Sequence, residues 1–322
     1  MSSGGRVVKW LRWSAFGIVS AWLPLCVPIG VVATEAALHP GRRAVTSVDR
    51  ERAAHLAAAN HARIRDVSIA GADGAILRAW SIVPGTSNGD AVLLLHGQAD
   101  NRAGMLGPAA LLLRHGYAVL LPDARAHGES GGAVATYGVL EAEDLRRWFE
   151  WLRLSENPRC IDGIGVSMGA AELLRSLDAE HGYCAVVAES VFSSFREVAY
   201  LRMGQWFGVG SWIGRTVLRP AVDIGFFYAR LRYGIDFGQA SPIRAVASTG
   251  TPVLLIHGLA DGSIPPRQSE QIKLRRPSAE LWEPANADHC GALSTDPAAY
   301  EAQVLSFFAA NDLPRGLARP QK

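Results

Sequence analysis

Five short apolar runs set the limits on what this chain can fold into: "AVLLL" from Ala91, "YAVLLP" from Tyr117, "IDGIGV" from Ile161, "AVVAE" from Ala185 and "PVLLIH" from Pro252. Each is apolar at odd and even positions alike, so a strand built from it has no face left for water. Stretches with helical spacing separate them, among them "GMLGPAALLLRHG" and "LEAEDLRRWFEWLRL". Strands covered on both faces and alternating with helices predict a parallel sheet between two helical layers. Ahead of them "RIRDVSIA" and "AILRAWSIV" alternate apolar and polar residues around the turn "GADG", the pattern of half-exposed antiparallel strands. The fold class is α/β with an antiparallel start. A chain of 322 residues, 49% hydrophobic and 19% charged, has the material for a large core. Its net charge of +2, with no basic stripe interleaved with aromatics, argues against a nucleic-acid partner.

The ends of this core are marked by two breaks in the rhythm. At the N-terminus, Arg6, Lys9 and Arg12 precede Trp13 to Ala33, which carries no charge. About 20 such residues are needed to cross the hydrocarbon layer as a helix, although Pro24 and Pro28 would kink it. Two export readings follow: a retained single-pass anchor, or a signal cut after the small residues Val31-Val32-Ala33. Either puts the rest of the chain outside the cytoplasm if the positive end stays in. The second break is residues 191–248, which show no clean strand but hold Trp206, Phe207, Trp212, Phe226, Phe227, Tyr228 and Tyr233; an insertion of that length reads as a small helical cap. The expected organisation is an anchor or signal over 1–35, a connecting helix over 36–63 that takes no part in the core, an α/β core over 64–190 and 249–313, and the cap over 191–248.

Chemistry enters at "GVSMG". Ser167 stands between Gly165 and Gly169, after a predicted strand and before a predicted helix. A serine on a sharp strand-to-helix turn needs small residues two positions to either side, so that strand and helix can approach. The same turn leaves the backbone N–H of Met168 at a helix N-terminus, available to a developing oxyanion. A lone serine is a weak nucleophile and needs a base held by a third group. Of the nine histidines, His289 in "ANADHCGAL" follows the last strand-like run and precedes a final helix, the best placement for that base. His127 lies in a polar loop but ahead of the serine, and His96 and His257 close strands, where they satisfy turn backbone. Two phrases, "VLLLHGQAD" and "VLLIHGLAD", put Asp100 and Asp261 in equivalent positions. Glu189 and Asp288 are further acids near the expected site. The histidines and cysteines show no ligand spacing such as Cys-x-x-Cys or His-Glu-x-x-His, so neither metal nor other cofactor is expected.

With these pieces in place the chain resembles the α/β-hydrolase superfamily, and within it the membrane-anchored bacterial members of serine aminopeptidase type. The resemblance rests on "LLLHGQADNR", "LPDARAHGESGG", "GVSMGAAELL", "SPIRAV", "VLLIHGLADGSIP" and "ADHCGAL", and covers about residues 64–310. It implies an eight-stranded, mostly parallel sheet with helices on both faces and a cap. It implies an acid between serine and histidine in chain order, which selects Asp261 and frees the "HGQ" turn for an oxyanion hole made by the N–H groups of Gln98 and Met168. The expected activity is that of a serine hydrolase cleaving an ester-type acyl bond in a small, apolar substrate. A peptidase or amidase, or a non-catalytic protein keeping the fold, are the alternatives. The cap acids Glu197, Asp223 and Asp236 are what a pocket for a free amino terminus would use. Cys160 and Cys184 each precede an apolar run. If those runs are neighbouring parallel strands, a disulfide joins them in an oxidising compartment; two buried thiols are the other reading.

Overall fold

The computed structural model describes residues 22–312, which form two compact units: 22–38 with Arg196–Phe237, and 39–195 with 238–312. The strands are β1 (Arg63–Ala70), β2 (Ile76–Val83), β3 (Ala91–Leu95), β4 (Ala118–Pro122), β5 (Ile161–Val166), β6 (Val186–Glu189), β7 (Val253–Ile256) and β8 (Glu280–Trp282). The helices are α1 (22–38), α2 (Ser47–Ala59), α3 (Leu106–Arg114), α4 (Glu141–Glu156), α5 (Met168–Ser176), α6 (Phe195–Trp206), α7 (Ser211–Arg215), α8 (Arg219–Tyr233), α9 (Pro242–Ser248), α10 (Arg267–Arg275), α11 (Ala292–Thr295) and α12 (Pro297–Asn311).

All eight strands belong to the larger unit and form one sheet in the order β1-β2-β4-β3-β5-β6-β7-β8. β2 pairs antiparallel with both β1 and β4, and every other pair is parallel. Every residue of β3, β4, β6 and β7 is buried, which is why these segments are apolar apart from Glu189 at the end of β6, whereas the edge strand β1 alternates exposed and half-buried positions over most of its length. The sheet is the eight-stranded, mostly parallel one expected. The chain runs from β3 to β4 on one side and then crosses back to β5 on the other. The carboxyl ends of β3 and β5 therefore flank the crevice where open α/β sheets bind ligands.

Two features differ from, or add to, what the sequence suggests. The connecting helix α2 does belong to the core: Ala53 and Ala57 are buried in the main apolar cluster beside Trp80 and Leu112. Alanines four apart let the helix lie close, and so small a side chain leaves little trace in the hydrophobic pattern. A capping box at Thr46 and Asp49 starts this helix. Cys160 and Cys184, at the amino ends of the adjacent parallel strands β5 and β6, are joined in a disulfide with a Cα–Cα distance of 5.8 Å.

In the smaller unit α1 buries Cys26, Gly30, Thr34 and Leu38, each four residues from the last. A Cβ on Gly30 would stand 2.3 Å from the carbonyl oxygen of Ala221, and one on Gly225 would stand 2.4 Å from Thr34 Oγ1. The glycines thus bring α1 and α8 into backbone contact. Hydroxyls of Tyr228 and Tyr233 donate to Glu35 at 2.6 and 2.8 Å, and Trp22 Nε1 donates to the Val217 carbonyl at 3.0 Å. Among the described residues no helix is long and apolar enough to cross a membrane. The first part of the expected anchor, Trp13 to Ala21, lies outside the described residues. Its second part, 22–33, is in α1 and turns a small-residue face to α8; that face is committed to protein contact and is closed to lipid.

Candidate active site

β5 ends at Val166 and α5 begins at Met168, so Ser167 alone makes the turn inside "GVSMG". Ser167 has φ 52° and ψ −111°, a strained conformation for a residue with a side chain. Its N–H donates to the Glu189 carbonyl at 2.8 Å, which fixes the turn against β6. The flanking glycines are required sterically. A Cβ on Gly165 would lie 2.5 Å from the Gly169 carbonyl oxygen, and one on Gly169 would lie 2.6 Å from the carbonyl oxygens of both Leu95 and His96. The close packing of β3, β5 and α5 is what thrusts the serine out of the turn.

The loops after β7 and β8 bring two further groups to it. His289 Nε2 lies 2.9 Å from Ser167 Oγ, and its Nδ1 lies 2.8 Å from Asp261 Oδ2. The Asp261 side chain is fully buried. Its other oxygen accepts the N–H groups of Ser263 and Ile264 at 2.9 and 2.8 Å. Burial would push this carboxyl up, but hydrogen bonds from His257, His289 and the Ile264 amide outweigh it and hold the group well below the usual carboxylate range. Asp261 is therefore a fixed negative charge at neutral pH, so Nδ1 of His289 carries the proton and Nε2 is left to accept one from the serine.

Of the two expected oxyanion donors, Gln98 follows Gly97 in the turn after β3 and Met168 is the first residue of α5. Gly97 packs against the serine, a Cβ placed on it falling 3.7 Å from Ser167 Cβ. Neither the Gln98 nor the Met168 N–H donates a hydrogen bond among the described residues. The Gln98 side chain donates to the Tyr137 hydroxyl at 2.9 Å, and Tyr137 stacks on Phe195 with ring centroids 4.3 Å apart. Tyr137 carries no signal in the sequence that would have singled it out.

The other candidates are placed elsewhere. His127 is fully buried with Nδ1 2.9 Å from the Arg125 carbonyl, so it holds its own loop and does not face the crevice. Burial lowers its pKa to about 4. Asp100 pairs with Arg43 at 2.5 Å, and Asp288 is exposed. Glu189 lies behind the histidine loop: it accepts the Ala292 N–H at 3.0 Å, and the neighbouring Ser190 hydroxyl accepts that of Cys290, also at 3.0 Å. These two residues tie the His289 loop to the end of β6, a positioning role that sequence spacing did not reveal. Burial raises the Glu189 carboxyl to about 7 against the pull of the Ala292 amide. Among the described residues one convergence of metal-type side chains occurs, Asp90, Cys160 and Asp312; with Cys160 in the disulfide it has no thiolate to offer.

Residues 92–303 match the family model described as the alpha/beta hydrolase family. The Bacillus subtilis protein YqkD, itself uncharacterized, is 31% identical over 221 residues, 67% of this chain and 70% of its own. YfhR of Escherichia coli K12 is 26% identical over 243 residues, 73% of this chain and 77% of its own. Among solved structures, the Pyrococcus furiosus esterase Pf2001 superposes with a TM-score of 0.66 at 25% identity, covering 85% of this chain and 99% of that one. The Pyrococcus horikoshii acylaminoacyl peptidase shares the fold at a TM-score of 0.59 and 19% identity, over 80% of this chain and 43% of that one. The family match spans the sheet from β3 onward and every residue that converges on Ser167, and on that ground the chain belongs to the alpha/beta hydrolase family.

Proposed function

We propose that the protein hydrolyses carboxylic esters through an acyl-enzyme on Ser167. The observation that carries this reading is the continuous hydrogen-bond line from Ser167 Oγ through His289 to the buried Asp261. In the first step Ser167 Oγ attacks the ester carbonyl while His289 Nε2 takes its proton. Asp261 holds the imidazole orientation and offsets the charge of the imidazolium. The amides of Gln98 and Met168 face the oxyanion as it forms. His289 then returns the proton to the departing alkoxide. In the second half a water molecule gives a proton to His289 Nε2 and attacks the acyl carbonyl; the bond to Ser167 Oγ then breaks, His289 returns the proton to Oγ, and the carboxylic acid leaves.

Two observations favour an ester with an apolar acyl group over the aminopeptidase-type reaction. Tyr137, Phe192 and Phe195 form an aromatic group joined to the Gln98 side chain. Recognition of a free amino terminus would need a carboxylate at liberty, yet Glu197 is engaged by Arg215, and Asp223 by Arg196 and Arg219. The same proposal places the chain at a membrane, reached through the uncharged segment from Trp13. The test is a panel of p-nitrophenyl esters of increasing acyl length beside aminoacyl p-nitroanilides, using full-length protein in detergent. Esters turned over at least a hundredfold faster than the anilides, with kcat/KM rising with acyl length, fit the proposal. Faster anilide cleavage requiring a free α-amine would replace it with the peptidase reading.

A further inference from the structure

We propose that the smaller unit is itself a lipid-docking surface, whose exposed apolar side chains enter the interfacial layer of an anionic bilayer. This rests on the reading that the N-terminal segment brings the chain to a membrane, and it adds a second contact made by α1, α6, α7 and α8. The unit holds about a fifth of the described residues, yet ten of the fifteen large apolar side chains exposed among them lie in it. On α1 the small-residue face is spent on α8, so Leu25 and Val32, seven residues apart, stand exposed. On α8 Phe227 and Leu231, four apart, do the same at 62% and 71% exposure. Trp206 closes α6 and Trp212 lies in α7, the latter 71% exposed. Tryptophan at a water-facing position costs solvation unless its ring has an interface to enter, and the headgroup layer is where such rings settle.

The occupant follows from charge and from the chain's own continuation. The described residues of the smaller unit hold six basic and four acidic side chains, a net +2, while those of the larger unit hold 20 basic and 26 acidic, a net −6. Arg230 and Arg232 bracket Leu231 and are exposed, so their stems can lie along hydrocarbon while the guanidinium groups reach lipid phosphates. A second copy of the chain would bring the same net positive charge to this face, which opposes pairing. The sequence leading into α1 is uncharged from Trp13 to Trp22, so this apolar stretch joins the chain at the same unit. An apolar surface with a cationic border is the composition of elements that lie in a bilayer interface.

The experiment uses the full chain reconstituted with vesicles containing phosphatidylglycerol. Phe227→Cys and Leu231→Cys variants carry an environment-sensitive fluorophore, with Leu274→Cys, exposed in the larger unit, as the control. Background labelling at Cys26 and Cys290 is read from the unsubstituted chain. Flotation reports separately whether the protein is on the vesicles at all. The proposal expects flotation, a blue shift at 227 and 231 that is quenched by lipids carrying a shallow nitroxide, none at 274, and weaker quenching with neutral vesicles. Flotation with all three positions alike overturns the docking surface and leaves the N-terminal attachment standing. No flotation overturns both. A blue shift present without vesicles and unquenched by lipid means protein covers the face, from residues 1–21 or a second copy, and also overturns the proposal.

Discussion

The phrases "VLLLHGQAD" and "VLLIHGLAD" occupy the ends of β3 and β7 and are nearly the same sequence, yet they have different surroundings and do different work. Both make the same turn, with the N–H of Asp100 donating to the Gly97 carbonyl at 3.4 Å and that of Asp261 to Gly258 at 3.1 Å. Both histidines serve the local backbone: His96 Nε2 accepts the Ala124 N–H at 3.0 Å, and His257 Nε2 donates to the Ile264 carbonyl at 2.8 Å. The divergence comes from the neighbours. β7 lies beside β8, and the loop that follows β8 uses the N–H groups of Leu259 and Ala260 as donors to Pro284 and Ala287, both at 3.0 Å. It also lays His289 on Asp261. β3 lies beside β5, so the amide of Gln98, the counterpart of Leu259, is left without a partner next to Ser167 while Asp100 turns outward to Arg43. Under the proposed mechanism one local sequence thus supplies an acid at one strand end and an oxyanion donor at the other. Sheet order assigns the roles.

The largest effect that could break this comparison is on turnover. Asp261→Asn should lower kcat by roughly 10⁴-fold with little change in KM, because the imidazole loses the charge that fixes its tautomer. Asp100→Asn should stay within a few-fold of the unchanged enzyme. Comparable losses in the two would show that the phrases are not divided in this way.

Stability offers the next contrast. A Cβ on Gly258 would stand 2.1 Å from the Ala287 carbonyl oxygen, whereas one on Gly97 meets nothing nearer than 3.7 Å. Gly258→Ala should therefore cost up to about 3 kcal/mol by forcing the loops after β7 and β8 apart. Gly97→Ala should move the denaturation midpoint little; urea titration of both variants decides.

A smaller, pH-dependent effect tests the support behind the histidine loop. The Glu189 carboxyl is raised to about 7 in the folded protein, so it favours folding fully below its unfolded pKa and loses that contribution as pH rises through 7. Glu189→Gln keeps an acceptor for the Ala292 N–H without the charge. It should melt like the parent at pH 5 and be more stable at pH 8 by on the order of 1–2 kcal/mol. Equal melting shifts at both pH values would mean that Glu189 is not a buried, proton-bearing group.

How much of this could be read in advance depends on whether the information is local. The central strands were legible because burial on both faces leaves nearly every position apolar, with Asp162 and Glu189 the exceptions, and the turn at Ser167 was legible because its two glycines sit at fixed offsets. What was not legible depends on contacts between residues distant in sequence. Ala53 and Ala57 enter the core through their small size, which looks like mere composition. Gly30 meets Ala221, and Ser190 meets Cys290, across 191 and 100 residues. Tyr137, in a loop where its φ is a positive 55°, meets Gln98 across 39 residues. The free amide of Gln98 is invisible for the same reason: its twin, Leu259, has an identical local setting and a different neighbour.

The most direct measurement of the central claim is fluorophosphonate labelling of full-length protein in detergent, with the modified peptide identified by mass spectrometry. An activated serine predicts stoichiometric modification at Ser167, abolished in Ser167→Ala and slowed by orders of magnitude in His289→Ala. A folded parent protein that stays unlabelled, or that is labelled at another serine, would contradict it.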